Sequence, residues 1–335
     1  RQMLTHLQVE GFRSIELLQL DMEPLTVLIG PNGSGKSNIL DVFDLLSAAA
    51  GGSLADGIAS RGGLDVLRFR GSAGGSVRFC LDFDNQGTFA QEDGVQFRLD
   101  LRARGNSAAV WFEEVSIGPR HGLPNRMTVA KKHGEECVFR NLKSRKKDPL
   151  DETKGLQSDA ELAIFQIRDP TAYPTPYKLA GEFVSWRVYP PVSTAQDAPI
   201  RRPQVLRSGF RVSPDGGNLA SVLHEIQNRG PGALDDLLEV LRTAAPGFRD
   251  LSFPSEGGDG TVVLRWREDP FSRDYGFSAN LLSDGTLRLL MLLAILLSPD
   301  PPPLVCIDEP ELGLHPDWVK LIGELLQSAA KRTQL

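Results

Sequence analysis

Gly30-Pro31-Asn32-Gly33-Ser34-Gly35-Lys36-Ser37 matches the spacing G-x-x-x-x-G-K-S. Glycines at these positions let a backbone wrap around phosphate oxygens, while a helix starting at the lysine adds unpaired N–H donors and a partial positive charge. Lys36 would reach the β- and γ-phosphates and act catalytically, and the Ser37 hydroxyl would bind Mg²⁺. Asn32, Gly33, Ser34, Gly35, Lys36 and Ser37 are thus candidate nucleotide contacts.

A second chemical element is Leu304-Val305-Cys306-Ile307-Asp308-Glu309, an apolar run that ends in adjacent carboxylates. At the C-terminal end of a parallel strand, Asp308 would hold the Mg²⁺ shell, and Glu309 would be general base or positioner for an attacking water. A third is "LLSDGTLRLL", Leu281 to Leu290, in which a polar loop interrupts a leucine run. Glycine inside a helix costs about 1 kcal/mol relative to alanine. Ser283 and Gly285 therefore predict a helix start whose backbone N–H groups face something.

These residues need strands and helices to hold them. "LTHLQVEGF" and "IELLQLDM" alternate apolar with polar residues as two half-buried strands do. "LTVLIG" reads as a central strand covered on both faces, and Ile39, Leu40, Val42, Phe43, Leu45 and Leu46 recur at helical spacing after Lys36. Gly51 to Gly75 reads as turns. "SVRFCLDF", "VQFRLDLRAR" and "AAVWFEEVSIG" read as an antiparallel meander. Pro119 to Tyr177 reads as a polar insertion with little core of its own. "NLASVLHEIQNRG", "ALDDLLEVLRTAAP" and "PDWVKLIGELLQSAAK" carry helical periodicity, and "TVVLRWRE" reads as a strand. His315 precedes Pro316 and reads as a helix-entry residue.

Composition bounds the class. A hydrophobic fraction of 41% and a charged fraction of 24% are those of a globular protein, and no apolar run is long enough to span a bilayer. Cys80, Cys137 and Cys306 have neither CxxC nor disulfide-framework spacing, and "RQMLTHLQVEGFRSI" lacks the apolar segment of a secretory signal. Both point to the cytoplasm. A formal net charge of −6 argues against coating nucleic acid over the whole surface. Lys131, Lys132, Arg140, Lys143, Arg145, Lys146 and Lys147 nevertheless form a local basic stretch, either a solvated loop or a contact for nucleic acid or an acidic partner. No HExxH or paired His/Cys spacing supports a transition metal.

"GFRSIELLQLDMEPLTVLIGPNGSGKSNILDVFDLL", "NLLSDGTLRLLMLLAILL" and "LVCIDEPELGLHPDWVKLIGELL" together resemble the ABC-type ATPase superfamily, in the branch containing RecF, the SMC proteins and the OLD-type ATPases. Within that branch the likeness is to stand-alone OLD-like ATPases, some of which resemble components of bacterial phage-defence or genome-maintenance systems. The resemblance implies an α/β fold: an ABC-ATPase head with a P-loop core sheet, an antiparallel β subdomain and a helical signature-motif lobe. Its divisions would be a nucleotide-binding lobe over 1–118, the insertion over 119–177, a helical lobe over 178–300, and a Walker B strand and helix over 301–335.

The resemblance also implies site residues. Arg13 and Ser14 of "GFRS" match a turn beside the nucleotide, and Asn38 matches the residue after the phosphate loop. Ser283 and Gly285 match the signature motif, which contacts the γ-phosphate of ATP bound to the other subunit. Glu311 to His315 match the region near the dimer interface, and Gln166 is a candidate for the Q-loop glutamine. ATP and Mg²⁺ follow as cofactors. A homodimer closed around ATP follows as the assembly, acting on a DNA, RNA or protein effector, with no membrane. The alternative is a nucleotide-stabilised scaffold with little hydrolysis that recruits a separate nuclease or toxin.

Overall fold

The computed structural model describes residues 3–71, 75–84, 94–104, 107–118, 126–134, 136–140, 150–152, 160–255, 260–269 and 276–335. The chain divides into two compact units, Arg1–Arg187 with Gln334, and Val188–Thr333 with Leu335.

In the first unit, the alternating segments at the start of the chain form β1 (Met3–Phe12) and β2 (Ile15–Asp21). With β3 (Val77–Asp84), β4 (Gly94–Arg104), β5 (Ser107–Gly118), β6 (Met127–His133), β7 (Glu136–Arg140) and β8 (Leu150–Glu152) they make an eight-stranded sheet. Its order is β2-β1-β3-β4-β5-β6-β7-β8, and every neighbouring pair is antiparallel. Inward-facing Phe79, Leu81, Phe83, Phe97 and Leu99 alternate with polar residues on the other face, as the two-residue period of a strand requires.

Helices cover the apolar face. These are α1 (Lys36–Ala50), α2 (Leu54–Ser60), α3 (Leu64–Leu67) and α4 (Pro174–Ser185). Phe183 packs edge-on to Phe97 with ring centroids 5.0 Å apart, and Trp186 meets Phe43 of α1 at 5.5 Å. Burying each such ring contributes about 2–3 kcal/mol, so this aromatic cluster fixes α1 and α4 on the sheet.

In the second unit, α7 (Asp284–Leu296) is buried from Leu289 through Leu296 without a polar face. A helix apolar all round must be enclosed. Around it pack α5 (Leu219–Arg229), α6 (Pro231–Ala244) and α8 (Pro316–Ala329), through Val222, Leu223, Ile226, Leu237, Leu241 and Ile322. The small strands are β9 (Arg187–Tyr189), β10 (Gln204–Val205), β11 (Phe248–Ser252), β12 (Thr261–Val262), β13 (Arg265–Glu268), β14 (Phe277–Ser278) and β15 (Val305–Ile307). They pair as β10-β12, β11-β13-β14 and β15-β9.

Four expectations change. Leu25–Gly30 forms no strand among the described elements, and Val27 and Ile29 are 66% and 91% exposed. An apolar run encodes a tendency to be covered but not the neighbour whose ladder would cover it. The glycine-dense stretch contains α2 and α3. Gly52, Gly62 and Gly63, all at positive φ, punctuate these helices rather than dissolving them.

The segment from Pro119 to Tyr177 does carry core: β6 to β8 extend the sheet, and Val129, Phe139, Leu162 and Ile164 are buried. Strand alternation hides Val129 and Phe139 among charged residues. For the same reason Lys132 leaves the basic stretch, pointing inward at 1% exposure while its neighbour Lys131 is exposed. Lys143, Arg145, Lys146 and Lys147 lie outside the described residues.

Candidate nucleotide-binding site

The phosphate loop is exposed from Pro31 to Ser34 and runs directly into α1. Gly33 and Gly35 have φ of 79° and 95°, in the left-handed region that only glycine enters without cost. An added Cβ at Gly35 would stand 3.0 Å from Ser14 Oγ. Gly35 is also the N-cap of α1; no side chain caps this end, and its first turn has no acidic residue. The first N–H groups of a helix have no partner in the helix itself, so this end combines donors with the positive end of the helix dipole.

Lys36 Nζ donates to the carbonyl oxygens of Gly30 and Pro31, at 2.7 and 3.0 Å. The ammonium is held over the loop by weakly competing carbonyls, where a phosphate can take it over. The loop, its lysine and its open helix end fit a nucleotide polyphosphate, and Ser37 is exposed in the first turn of α1.

The β1–β2 turn stands against the same loop. Arg13 and Ser14 are its two central residues, Phe12 pairing with Ile15. Arg13 has φ of 51°, as tight two-residue hairpins demand, although it is not glycine. Gly11, at φ 72°, passes so close to Ser76 that a Cβ would lie 2.6 Å from the Ser76 carbonyl oxygen. Asn38 Nδ2 donates to Ser14 Oγ at 2.7 Å, and Arg13 Nη2 meets Asp41 Oδ2 of α1 at 2.7 Å. Asp41 also accepts from Arg61 Nε at 2.7 Å. Thus Arg13, Ser14, Gly33, Gly35 and Asn38 are gathered at one end of α1, joined by Asp41 and Arg61, which motif spacing does not reveal.

In the second unit, β15 presents Asp308 and Glu309 at its end, with Leu304 and Val305 buried beneath. The Asp308 N–H donates to Tyr189 O at 2.9 Å. Glu309 is exposed and has φ of 47°. Among the described residues, Arg13 and Glu309 are the non-glycine residues at positive φ. Such conformations cost of order 1–3 kcal/mol and persist where the surroundings impose them.

Ser283 is the N-cap of α7: its Oγ accepts from the Thr286 N–H at 3.1 Å and lies 2.8 Å from Thr286 Oγ1. Gly285 abuts the loop that follows Glu309, where a Cβ would lie 2.8 Å from Gly313 O. Arg288 Nη1 donates to Leu312 O at 3.3 Å across the same contact. Ser283, Gly285, Gly313, His315 and Trp318 line a groove of about 970 Å³. His315 is the N-cap of α8, its Nδ1 accepting from the Asp317 N–H at 3.3 Å.

Gln166 ends the short 3₁₀ turn Ile164–Gln166 and is half-buried. This turn is tied to the sheet by Glu113, which sequence motifs pass over. Glu113 is 2% exposed and accepts from the N–H groups of Ala163 and Ile164, at 2.5 and 2.9 Å. Burial pushes its carboxyl up to about 7, against the opposing pull of those donors and of Lys132, its cross-strand neighbour. The signal was the alternation in "FEEV", which turns Glu113 inward and Glu114 outward.

Among the described residues, no three or more His, Cys, Asp or Glu side chains gather as a metal-holding group, and no helix is long and apolar enough to cross a membrane.

Two comparisons with known proteins bear on this site. The family model described as "AAA domain, putative AbiEii toxin, Type IV TA system" matches residues 25–116 and 186–335, which include the phosphate loop, the signature-like loop and the Asp308-Glu309 pair. An OLD nuclease of Thermus scotoductus is 50% identical over 130 residues, 38% of this chain and 24% of that protein. The match thus spans about a quarter of that relative. With most of its length matched by the family model, the chain belongs to this AAA-domain family, as an ATPase of the OLD-like and RecF-like branch.

Proposed function

We propose that the chain is a Mg²⁺-dependent ATP-binding and ATP-hydrolysing head of ABC type that works as a head-to-tail pair. The observation that carries this is the phosphate loop, with Gly33 and Gly35 left-handed, the start of α1 uncapped and Lys36 poised over the loop carbonyls. In this reading Lys36 and the loop amides hold the phosphates, and Ser37 and Asp308 hold the metal. Glu309 is general base or positioner for the attacking water. Arg13, Ser14, Asn32, Ser34 and Asn38 complete the loop's surroundings. When bound, Mg²⁺ neutralises charge on the β- and γ-oxygens.

Ser283 and Gly285 face the γ-phosphate held by a second copy. Each chain alone leaves that phosphate partly uncontacted, so nucleotide and dimerisation are linked. Residues 1–118 then act with 301–335 as the nucleotide-binding lobe, 178–300 as the helical lobe, and 119–177 as the insertion. Hydrolysis opens the pair, giving an ATP-timed switch in a cytoplasmic DNA-linked process such as genome maintenance or phage defence. The similarity to an OLD nuclease supports the DNA link.

Phosphate release with Mg²⁺ and ATP, measured with and without DNA, tests this. Turnover that Lys36→Ala abolishes supports the switch. Tight ATP binding with no release by the wild-type protein would make the chain a nucleotide-stabilised scaffold for a separate effector.

A further inference from the structure

Arg201 ends the short 3₁₀ turn Pro199–Arg201 and is 6% exposed. A buried guanidinium must place its donors or leave a desolvated charge unpaired. Arg201 places all but one of them on one neighbouring loop. Nε donates to Thr194 O at 2.8 Å, within its own segment. Nη1 donates to Ala279 O at 2.9 Å, to Asn280 O at 3.3 Å and to Leu282 O at 2.9 Å. Nη2 donates to Asp284 Oδ1 at 2.7 Å. Leu282 and Asp284 are the two residues that flank Ser283.

We propose that Arg201 is the positioning residue of the signature loop, clamping the chain on both sides of Ser283 so that its hydroxyl and the first amides of α7 are already in place when they meet a nucleotide on a second copy. This rests on the reading that Ser283 completes a partner's site. The carbonyls of Ala279, Asn280 and Leu282 turn inward just before α7, and a fixed planar fork of five N–H groups can hold three carbonyls and a carboxylate together. A lysine ammonium, with three donors at one point, cannot. Ile200 anchors the clamp from behind: it is 1% exposed, and its Cδ1 would lie only 2.8 Å from a Cβ at Gly216. Donors held in place before reaction avoid the reorganisation that a loose loop would require.

The test compares wild-type protein with Arg201→Lys and with the milder Asp284→Asn, which removes only the charge at the exposed end of the clamp. Hydrogen exchange is read on the free chain, and ATP turnover on mixed chains. The clamp predicts at least about tenfold faster exchange at the Ser283–Leu287 amides in Arg201→Lys, with unchanged exchange in β1 to β5 and unchanged binding of fluorescent ATP to the free chain. It predicts turnover at least about tenfold lower in Arg201→Lys and lowered less in Asp284→Asn.

Mixing Arg201→Lys with Lys36→Ala should restore turnover, since the first supplies a phosphate loop and the second an intact signature loop. Mixing Arg201→Lys with a Ser283→Arg chain should not. Unchanged exchange at the loop, or failure of Lys36→Ala to complement, overturns the clamp, the second result marking a general folding role. Faster exchange at the loop in a protein whose wild type neither pairs nor turns over would keep the clamp as loop geometry and sink the shared-site reading instead.

Discussion

Gly285 and Gly313 approach so closely that a single methyl group on Gly285 would sit 2.8 Å from the Gly313 carbonyl oxygen. The glycine that breaks the leucine run therefore has a reason inside its own chain: the start of α7 is pressed against the loop that leaves Glu309. Gly285→Ala should gain helix propensity of at most about 1 kcal/mol and lose more to the clash, because the opposing atom is the backbone oxygen of Gly313 and one element must shift. A net loss of about 1–2 kcal/mol in urea unfolding, with turnover falling at least about tenfold, is expected. Stabilisation of the variant would contradict the contact.

Glu113 gives a pH prediction. Its carboxyl, pushed up to about 7 by burial, takes up a proton more readily folded than unfolded. Its contribution to stability is thus fully present below its ordinary value near 4.5 and is lost as pH rises through about 7. The stability of wild type relative to Glu113→Gln, measured by denaturant unfolding from pH 5 to pH 8 in steps of about one unit, should decline as pH rises. A difference that is flat or grows would show that the carboxyl is ionised throughout.

Arg13 combines a strained backbone with an ion pair, and two substitutions separate them. Arg13→Gly relieves the positive φ, whereas Arg13→Ala keeps it, so the glycine variant should be the more stable by about 1 kcal/mol. Both lose the guanidinium that meets Asp41. ATP affinity should therefore fall by a similar factor in both, as read by fluorescent-nucleotide titration. An alanine variant as stable as the glycine one would argue against backbone strain at this turn.

Lys36 bonds two carbonyls of an exposed loop. Lys36→Ala should leave unfolding stability within about 0.5 kcal/mol while weakening ATP binding by at least about a hundredfold. A large loss of stability would assign the lysine a structural role.

The parts of this protein that were legible in the sequence are those encoded locally. The phosphate loop declares itself through spacing, and the two φ values that demand glycine fall at Gly33 and Gly35. The pairing of β3 with β4 follows from the alternation in "VRFCLDF" and "VQFRLDLRAR". Long-range partnerships were not legible. Nothing in "APIRRP" says that Arg201 will hold carbonyls some eighty residues on, and nothing in the apolar run Leu25–Gly30 says which strand would cover it. Lys132 looked like one of a basic cluster because side-chain direction depends on register with β5, where it stands opposite Glu113. Composition names the charge; only pairing names its face.

The most direct test of the shared ATP site is the light-scattering mass of the Glu309→Gln protein with Mg²⁺ and ATP, compared with the same protein without nucleotide. This substitution keeps the fold of the phosphate loop and removes the carboxylate assigned to water activation. The expected result is a monomer that becomes a dimer only when ATP is present. A mass that does not change with ATP, in a protein that binds ATP, would contradict it.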